Sequence, residues 1–306
     1  MYDTVKLSLI TSECEKIPNL LTDVGTNIKQ TGEYSHHGKL ENMKVNVYPG
    51  CLRVEGSLSK YLNGNNLERL TREQTEEVIE KLSDSLKLPF RNAKVSRVDL
   101  AENFILKRPV REYMSLMGDV AYFTKRPYSK NGLYYTNSRR SMIFYNKVQE
   151  YQDKKQANLI PEVYKDRNVL RYELRFTKRL KEQFSSEVKA ADLYNENFYI
   201  NIINRWSTTY FDIKKIKTFK DEDFQMKAVK DLKEYVLTLS LMDELRCDLV
   251  LNRLEQAKET GEMSDRNYYR CKSVLNELME NKKYFKPNEC IFELDRKVKQ
   301  AARFYR

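Results

Sequence analysis

Charged and hydroxyl side chains recur at a spacing of two residues in four short segments of the chain. Residues two apart on a β-strand share a face, so each segment would present its polar side chains together. The pairs and triplets are Arg53 and Glu55, Arg97 and Asp99, Tyr145 and Lys147, and Arg171, Glu173 and Arg175. If the strands join one antiparallel sheet, one face gathers this chemistry, and the apolar face packs against helices.

Two interpretations of this face remain open from the pattern alone. The first is a solvated surface with cross-strand ion pairs, each worth about a few tenths of a kcal/mol. The second is a phosphoryl-transfer site. Glu55, Asp99 and Glu173 offer the oxygen ligands that suit Mg²⁺ or Mn²⁺, and a divalent ion would polarise a phosphoryl oxygen. Tyr145 would attack phosphorus, while Lys147 would hold the phosphate or ease deprotonation of the hydroxyl.

Attack by a tyrosine would leave the protein joined to a phosphate and keep the energy of the broken phosphodiester for later rejoining. This is the chemistry of a nicking-closing enzyme. Other tyrosines also lie near basic residues, namely Tyr134, Tyr135, Tyr151, Tyr268 and Tyr269. We prefer Tyr145 because Lys147 would share its strand face.

The overall composition favours a nucleic-acid partner. The 306 residues include 55 Lys+Arg, 44 Asp+Glu and 21 Tyr, with a formal net charge of +11. Lys and Arg neutralise phosphates, and aromatic rings stack on unpaired bases. The only histidines, His36 and His37, are adjacent, which excludes sites that need two spaced histidines. We interpret this pair as part of an exposed turn.

Cysteine spacing and hydropathy restrict the location of the protein. The five cysteines show no CxxC spacing, so a disulfide framework and a structural zinc site are not expected, and a reducing cytoplasm fits best. No apolar run reaches the roughly 18 residues needed to cross a membrane.

The periodicity predicts an α+β fold in two domains. Residues 1–212 read as an antiparallel sheet packed with helices, and residues 213–306 as a smaller all-helical domain. Pro49-Gly50 predicts a hairpin, and Thr71 with Gln74 predicts a capping box that opens a helix. Apolar stripes at helical spacing occupy residues 232–245 and 268–278. Ser264 would cap the second helix, whose polar side is either an ordinary solvated face or a reader of the DNA major groove.

Four motifs follow one another in a specific order. They are GSLSKYLNGNN at residues 56–66, SRVD at 96–99, YNKVQE at 145–150 and LRYELR at 170–175. This order, across roughly residues 45–185, resembles the gene II/gene X replication-protein family of filamentous phages and related small plasmids. The resemblance implies an initiator of rolling-circle replication. Such a protein nicks one strand of a supercoiled origin, stays attached to the 5′-phosphate through tyrosine, leaves a 3′-OH primer and later recloses the displaced circle.

The resemblance also implies roles for individual residues. The family's active tyrosine lies in the Y-x-K motif, which corresponds to Tyr145 here. Asp99 and Glu173 carry over as acidic residues, whereas Arg53 rather than Glu55 falls at the family's third acidic position without a gap. The residues expected to contact DNA come from the GSLSKYLNGNN motif, from the strand faces and from the polar side of the helix after Ser264. They are Lys60, Asn66, Arg97, Arg171, Arg175, Arg266 and Arg270.

The expected partners are origin DNA, as supercoiled duplex and as unpaired strand, together with a host helicase and polymerase. Two other classes of protein offer alternatives. A tyrosine recombinase would need an Arg/His/Arg constellation before a C-terminal tyrosine, which the adjacent histidines do not supply. A non-catalytic DNA-binding regulator of a mobile element would account for the charge and the C-terminal helices, but not for the carboxylates on the strand faces.

Overall fold

The computed structural model of the protein describes residues 1–28, 34–129, 132–219, 244–280 and 285–306. Its main element is a ten-stranded antiparallel sheet in the order β2-β3-β4-β5-β1-β6-β10-β9-β8-β7. The strands are β1 (Tyr2–Ile10), β2 (Thr22–Ile28), β3 (Tyr34–Leu40), β4 (Met43–Tyr48), β5 (Cys51–Ser57), β6 (Lys94–Leu106), β7 (Thr124–Ser129), β8 (Gly132–Thr136), β9 (Arg140–Asn146) and β10 (Asn168–Phe176).

Helices alternate with the strands along the chain and follow the last strand of the sheet, which confirms the predicted α+β fold class. The α-helices of the described residues are α1 (Leu58–Asn63), α2 (Arg72–Leu86), α3 (Val110–Ser115), α4 (Lys147–Asp153), α5 (Leu180–Phe184), α6 (Glu196–Phe211), α7 (Glu244–Glu259), α8 (Asp265–Glu280) and α9 (Glu289–Phe304). Short 3-10 turns occupy Ile17–Leu20, Phe90–Asn92, Ala157–Leu159, Glu162–Tyr164 and Ala190–Tyr194. None of the described helices is long and apolar enough to cross a membrane.

Local signals in the sequence explain several boundaries. Gly50 closes the hairpin between β4 and β5 with a φ of 73°, a conformation that a side chain would strain. The capping box at α2 is present, since Thr71 and Gln74 each accept a hydrogen bond from the other's backbone N–H. Both features confirm the sequence predictions.

The predicted strand through Lys147 is one residue too long. The side chain of Asn146 accepts a hydrogen bond from the N–H of Gln149 and so caps α4. Lys147 is therefore the first residue of a helix and does not share the strand face of Tyr145. The capping preference of asparagine overrides the alternation of polar and apolar residues at this point.

The two histidines do not form the predicted turn. His36 and His37 lie within β3, which pairs with β2 on one side and with β4 on the other. Their rings point to opposite faces, where the His36 Nδ1 lies 3.0 Å from the Thr26 hydroxyl and the His37 Nδ1 lies 3.3 Å from the Asn27 amide. Pairing with two neighbouring strands overrides the local turn signal of Ser35 and Gly38.

The apolar core lies on one face of the central strands. Trp206 of α6 is fully buried there, and its ring centroid lies 5.0 Å from that of Tyr172 on β10. The Tyr172 ring in turn stacks on Phe144 of β9, with centroids 4.6 Å apart. Because strand residues alternate between faces, burial of Tyr172 on this side directs its neighbours Arg171 and Glu173 to the opposite side.

The described residues form two compact units, Met1–Lys215 with Glu293–Arg306, and Ile216–Phe292. Most of α9, from Glu293 onwards, therefore belongs to the first unit. The sequence pattern had predicted one helical domain over residues 213–306. The second unit contains α7, α8 and a short antiparallel pair, β11 (Lys217–Phe219) and β12 (Phe285–Pro287). Ser264 accepts a hydrogen bond from the N–H of Asn267, as expected for the cap of α8. The apolar stripe over residues 232–242 lies outside the described residues.

Candidate active site

Glu173 on β10 is the centre of the polar face. Its side chain is 3% exposed. The Tyr145 hydroxyl donates to Oε1 at 2.8 Å, and the Nε of Arg171 donates to the same oxygen at 2.7 Å. Arg175 donates to Oε2 from Nε at 3.0 Å and from Nη2 at 2.6 Å. Both oxygens of Glu173 are therefore occupied by donors.

Asp99 on β6 forms the second buried carboxylate of the site. Arg97 donates two hydrogen bonds to this carboxylate, from Nε to Oδ1 at 3.0 Å and from Nη2 to Oδ2 at 2.6 Å. The strand register places Arg175 opposite Asp99, and the Arg175 Nε lies 3.6 Å from Oδ2. Arg97 and Arg175 remain 26% and 28% exposed. The two guanidinium groups thus form an accessible rim over two buried carboxylates.

Glu55 on β5 lies at the edge of this rim rather than beside the other carboxylates. It is 34% exposed, and its oxygens pair with Arg97 at 3.3 Å and with Lys6 at 3.2 Å. The structure therefore brings the three predicted carboxylates to one face, but arginines alternate with them. Glu55 reaches Asp99 only through Arg97.

Arg171 connects the site to its surroundings. Its Nη2 lies 2.8 Å from Oδ2 of Asp3, and its Nη1 donates to the carbonyl of Asn66 at 2.9 Å and to Oδ1 of Asn103 at 3.1 Å. Asp3 also accepts a hydrogen bond from Ser57. Asp3 was not among the predicted site residues, although it lies at the start of a strand whose residues alternate between polar and apolar.

The charges of this cluster balance within the described residues. Four carboxylates, Asp3, Glu55, Asp99 and Glu173, face four cations, Lys6, Arg97, Arg171 and Arg175. Burial alone would raise the pKa of Glu173, but Arg171 and Arg175 hold that pKa well below its usual range. Burial raises the pKa of Asp99 to about 6 against the opposing effect of Arg97 and Arg175. Both carboxylates are ionised at neutral pH.

Tyr145 lies near the end of β9 with its hydroxyl directed at Glu173. The side chain is partly buried. Burial raises the pKa of Tyr145 well above its usual value, the negative charge of Glu173 raises it further, and Arg171 opposes both effects. The resting hydroxyl is therefore a hydrogen-bond donor rather than a phenolate.

Lys147 reaches the same tyrosine from the first turn of α4. It is 2% exposed, and its Nζ lies 5.6 Å from the centroid of the Tyr145 ring. The Nζ donates to Oε2 of Glu150 at 2.7 Å. Burial and then the charge of Arg171 lower the pKa of Lys147 to about 8. Glu150 was missed from the sequence, but it follows Lys147 by three residues, which is a helical spacing.

The other residues predicted to contact DNA fall into two groups. Asn66 supports the site, since its carbonyl binds Arg171 and its side-chain oxygen accepts a hydrogen bond from Tyr151. Lys60 is a partly buried residue of the nearby α1. Arg266 and Arg270 are exposed on α8 in the second unit. Contact of these residues with DNA stays a prediction.

The arrangement of the predicted metal ligands does not suit a divalent ion as it stands. The oxygens of Glu173 and Asp99 already accept hydrogen bonds from guanidinium groups. Across the residues that the structure describes, no group of three or more Asp, Glu, His or Cys side chains could hold a metal ion. An ion at Asp99 or Glu173 would first have to displace Arg97 or Arg175.

The site lies on one face of a large antiparallel sheet. In it, a tyrosine hydroxyl donates a hydrogen bond to a buried carboxylate, and partly exposed arginines lie beside that carboxylate. The Phage_CRI family model, which describes the N-terminal part of a phage replication-associated protein, matches residues 1–208. The matched residues include the entire sheet and the polar cluster. The chain belongs to this family of phage replication-associated proteins, which confirms the resemblance seen in its motifs. No curated protein matches the chain. Family membership supports a role as a replication initiator, a class of protein that binds origin DNA.

Proposed function

We propose that the protein initiates rolling-circle replication by nicking one strand of its origin through Tyr145. The hydrogen bond between the Tyr145 hydroxyl and Glu173, within a domain of this replication family, carries the proposal. A nucleophilic tyrosine needs a proton acceptor, and Glu173 lies at hydrogen-bonding distance. The cytoplasm is the compartment in which such a protein would meet its DNA.

The reaction would form one bond and break one. The Tyr145 oxygen attacks the scissile phosphorus, the bond to the 3′-oxygen breaks, and the protein becomes linked to the 5′-phosphate. The phenolic proton passes to Oε1 of Glu173, and the departing 3′-oxygen takes a proton from water. Rejoining runs these steps in reverse, with the 3′-hydroxyl as nucleophile. A host polymerase would extend the 3′-OH, and a host helicase would open the duplex ahead of it.

The arginines of the rim would receive the phosphate. Arg97 and Arg175 are the partly exposed arginines of a cluster whose charges balance before DNA binds. A phosphate adds negative charge, and guanidinium groups bind it with two parallel hydrogen bonds. When Arg175 turns from Glu173 towards the phosphate, Glu173 loses one of the charges that depress its pKa. Substrate binding would therefore increase the basicity of Glu173 when Tyr145 must lose its proton.

Lys147 would stabilise the negative charge that develops on the tyrosine. Its Nζ lies over the Tyr145 ring, and with a pKa of about 8 it is mainly protonated at neutral pH. A positive charge in a buried position acts more strongly than one in water. A requirement for Mg²⁺ or Mn²⁺ at Asp99, Glu173 and Glu55 remains part of the proposal, although no step above depends on it.

The test uses supercoiled plasmid that carries the protein's own origin, with and without Mg²⁺. The expected product is an open circle with protein bound at the 5′ end of the nick. Tyr145→Phe should abolish this product, because the substitution removes the hydroxyl that attacks phosphorus and leaves the ring in place. Tyr194→Phe, a change to a partly buried tyrosine of the turn Ala190–Tyr194, is the matched control and should leave nicking unchanged. Nicking that persists in Tyr145→Phe would refute the assignment of the nucleophile.

One observation favours a second candidate, a non-catalytic DNA-binding regulator. The buried carboxylates Asp99 and Glu173 are each paired with arginine, as in a network that only stabilises the sheet. Such a protein would shift origin DNA in a gel without cutting it under any metal condition. Open circles that carry bound protein would exclude this alternative.

A further inference from the structure

A groove of about 660 Å³ lies within the first unit, beside the loop that contains Asn66. One wall is formed by the residues after Asn66, and another by the C-terminal end of β6. The remaining walls come from the segment after Pro161 and from α9. The lining residues include Leu67, Arg69, Asn103, Tyr164, Lys297 and Phe304.

Phe304 offers an aromatic surface in this groove. Phe304, the last residue of α9, is 57% exposed. The guanidinium carbon of Arg69 lies 4.7 Å from the ring centroid and covers one face. The Tyr305 ring meets Phe304 at 87° with centroids 5.0 Å apart, and the exposed part of the Phe304 ring is accessible for stacking.

The exposed ring is held in position by its neighbours. The Nε of Arg69 donates to Oε1 of Glu102 at 2.8 Å, and the hydroxyl of the buried Tyr305 donates to Oε2 at 2.8 Å. Glu102 thus binds both Arg69, which covers one face of Phe304, and Tyr305, which follows Phe304 in the chain. A surface fixed in advance loses little conformational freedom when a ligand binds.

The charge near the groove suits a polyanion. Residues 296–306 include Arg296, Lys297, Lys299, Arg303 and Arg306, and contain no Asp or Glu. All five cations are exposed or partly exposed. Glu68 is the carboxylate among the lining residues, and it accepts a hydrogen bond from Asn65. The cations among the lining residues are Arg69 and Lys297, which also pair with Glu102 and Glu293. Positive charge beside an exposed aromatic ring is the combination that binds single-stranded nucleic acid.

Two side chains connect the groove to the tyrosine site. Asn103 donates from Nδ2 to the carbonyl of Leu67 at 3.1 Å, in the wall of the groove. Its Oδ1 accepts from Arg171 at 3.1 Å, and Arg171 donates to Glu173, the acceptor of the Tyr145 hydroxyl. The groove and the site are thus adjacent parts of one polar network.

We propose that this groove binds a short unpaired stretch of the DNA strand whose phosphate reaches Tyr145. A base stacks on the exposed part of the Phe304 ring, and the backbone follows Lys297 and Arg303. The inference rests on the proposed function, because it names where the substrate strand lies. Stacking accepts any base, so the groove supplies affinity for unpaired DNA rather than recognition of sequence.

The test measures binding of the full chain to a fluorescein-labelled oligothymidine by fluorescence anisotropy. This oligonucleotide has no origin sequence, and the Tyr145→Phe background removes cleavage, so the result is independent of nicking. Phe304→Ala should weaken binding by roughly fivefold or more, the loss typical of one stacked base. Phe304→Trp should restore it. Phe292→Ala is the matched control, since Phe292 lies on the same helix and is 62% exposed.

The outcomes separate the two proposals. Equal affinities of Phe304→Ala and Phe292→Ala, with unchanged thermal unfolding, would overturn the groove assignment and leave the nicking proposal standing. Failure of Tyr145 in the plasmid assay, with oligothymidine binding still dependent on Phe304, would overturn only the nicking proposal. A loss of binding in Phe304→Ala that Phe304→Trp does not reverse would also count against stacking.

Discussion

Arg175 donates both Nε and Nη2 to the same oxygen of Glu173, which lies two residues earlier on the same strand. The pair is a contact between side chains on one face of β10, and its outer member is partly exposed. Arg175 can therefore exchange a carboxylate for a phosphate without any change in the backbone.

Arg175→Gln should lower the rate of nicking by about 10²-fold, the size of effect seen when one preorganised donor to a developing charge is removed. The rate is measured on supercoiled origin plasmid at saturating protein. Arg179→Gln serves as control, because Arg179 is exposed and pairs with Glu182 rather than with the cluster. Equal rates for the two variants would contradict the role of Arg175.

Glu173→Gln should destabilise the fold more than Glu55→Gln. Neutralising Glu173 leaves the buried Arg171 with Asp3 as its remaining carboxylate, and breaking a buried pair from one side costs up to about 3–5 kcal/mol. Glu55 is partly exposed, and a surface pair is worth about 1 kcal/mol or less. Urea unfolding followed by circular dichroism gives both free energies. Similar losses in the two variants would show that Glu173 is not held as described.

Nicking should decline as the pH rises through about 8. Lys147 is positive below its pKa of about 8 and neutral above it, so its stabilisation of a developing phenolate is lost on the alkaline side. Lys147→Arg should remove the decline, because arginine stays protonated. The rate is measured between pH 6.5 and 9.5, and an identical alkaline limb in wild type and Lys147→Arg would refute the role of this charge.

The contribution of Lys147 to the free energy of unfolding should increase as the pH rises, whereas its contribution to nicking decreases. Its pKa is lowered from 10.5 in the unfolded chain to about 8 in the folded one. Between these values the unfolded chain binds the extra proton, so the contribution of Lys147 to stability rises with pH. Comparing the free energies of unfolding of wild type and Lys147→Met at pH 7.5 and 9.5 measures this. An unchanged difference between the two proteins would contradict the lowered pKa.

Divalent ions should bind more tightly when an arginine of the rim is removed. Arg97 occupies both oxygens of Asp99 with two hydrogen bonds. Arg97→Gln removes the competing positive charge, so Mn²⁺ should bind this variant more tightly than wild type. The concentration of free Mn²⁺ is measured by electron paramagnetic resonance. Arg97→Gln combined with Asp99→Asn should reverse the gain. No change in Mn²⁺ affinity in Arg97→Gln would argue against Asp99 as a ligand.

The alternation of residues on single strands predicted much of the site. It placed Asp99 and Glu173 on one face of the sheet, and it directed Tyr145 to the same side. These relationships depend only on the period of a strand, which is local. The capping box of α2 and the hairpin at Gly50 were predictable for the same reason.

Long-range pairing was not predictable in this way. Asp3 reaches Arg171 because β1 inserts between β5 and β6, and no local pattern states which strands are neighbours. Which carboxylates each arginine would occupy depends on the register of β6 against β10. Lys147 was assigned to the strand because a polar residue at the correct spacing looks the same in sequence whether or not the preceding asparagine caps a helix.

The return of α9 to the first unit makes the second unit an insertion within the chain of the first. Tyr305 binds Glu102 across a separation of 203 residues. During synthesis, the sheet can assemble early, but Glu102 receives its last donor only after residues 293–306 have been made. Excision of residues 216–292 would therefore respect the cooperative unit of folding, whereas truncation after residue 212 would leave that unit unfinished.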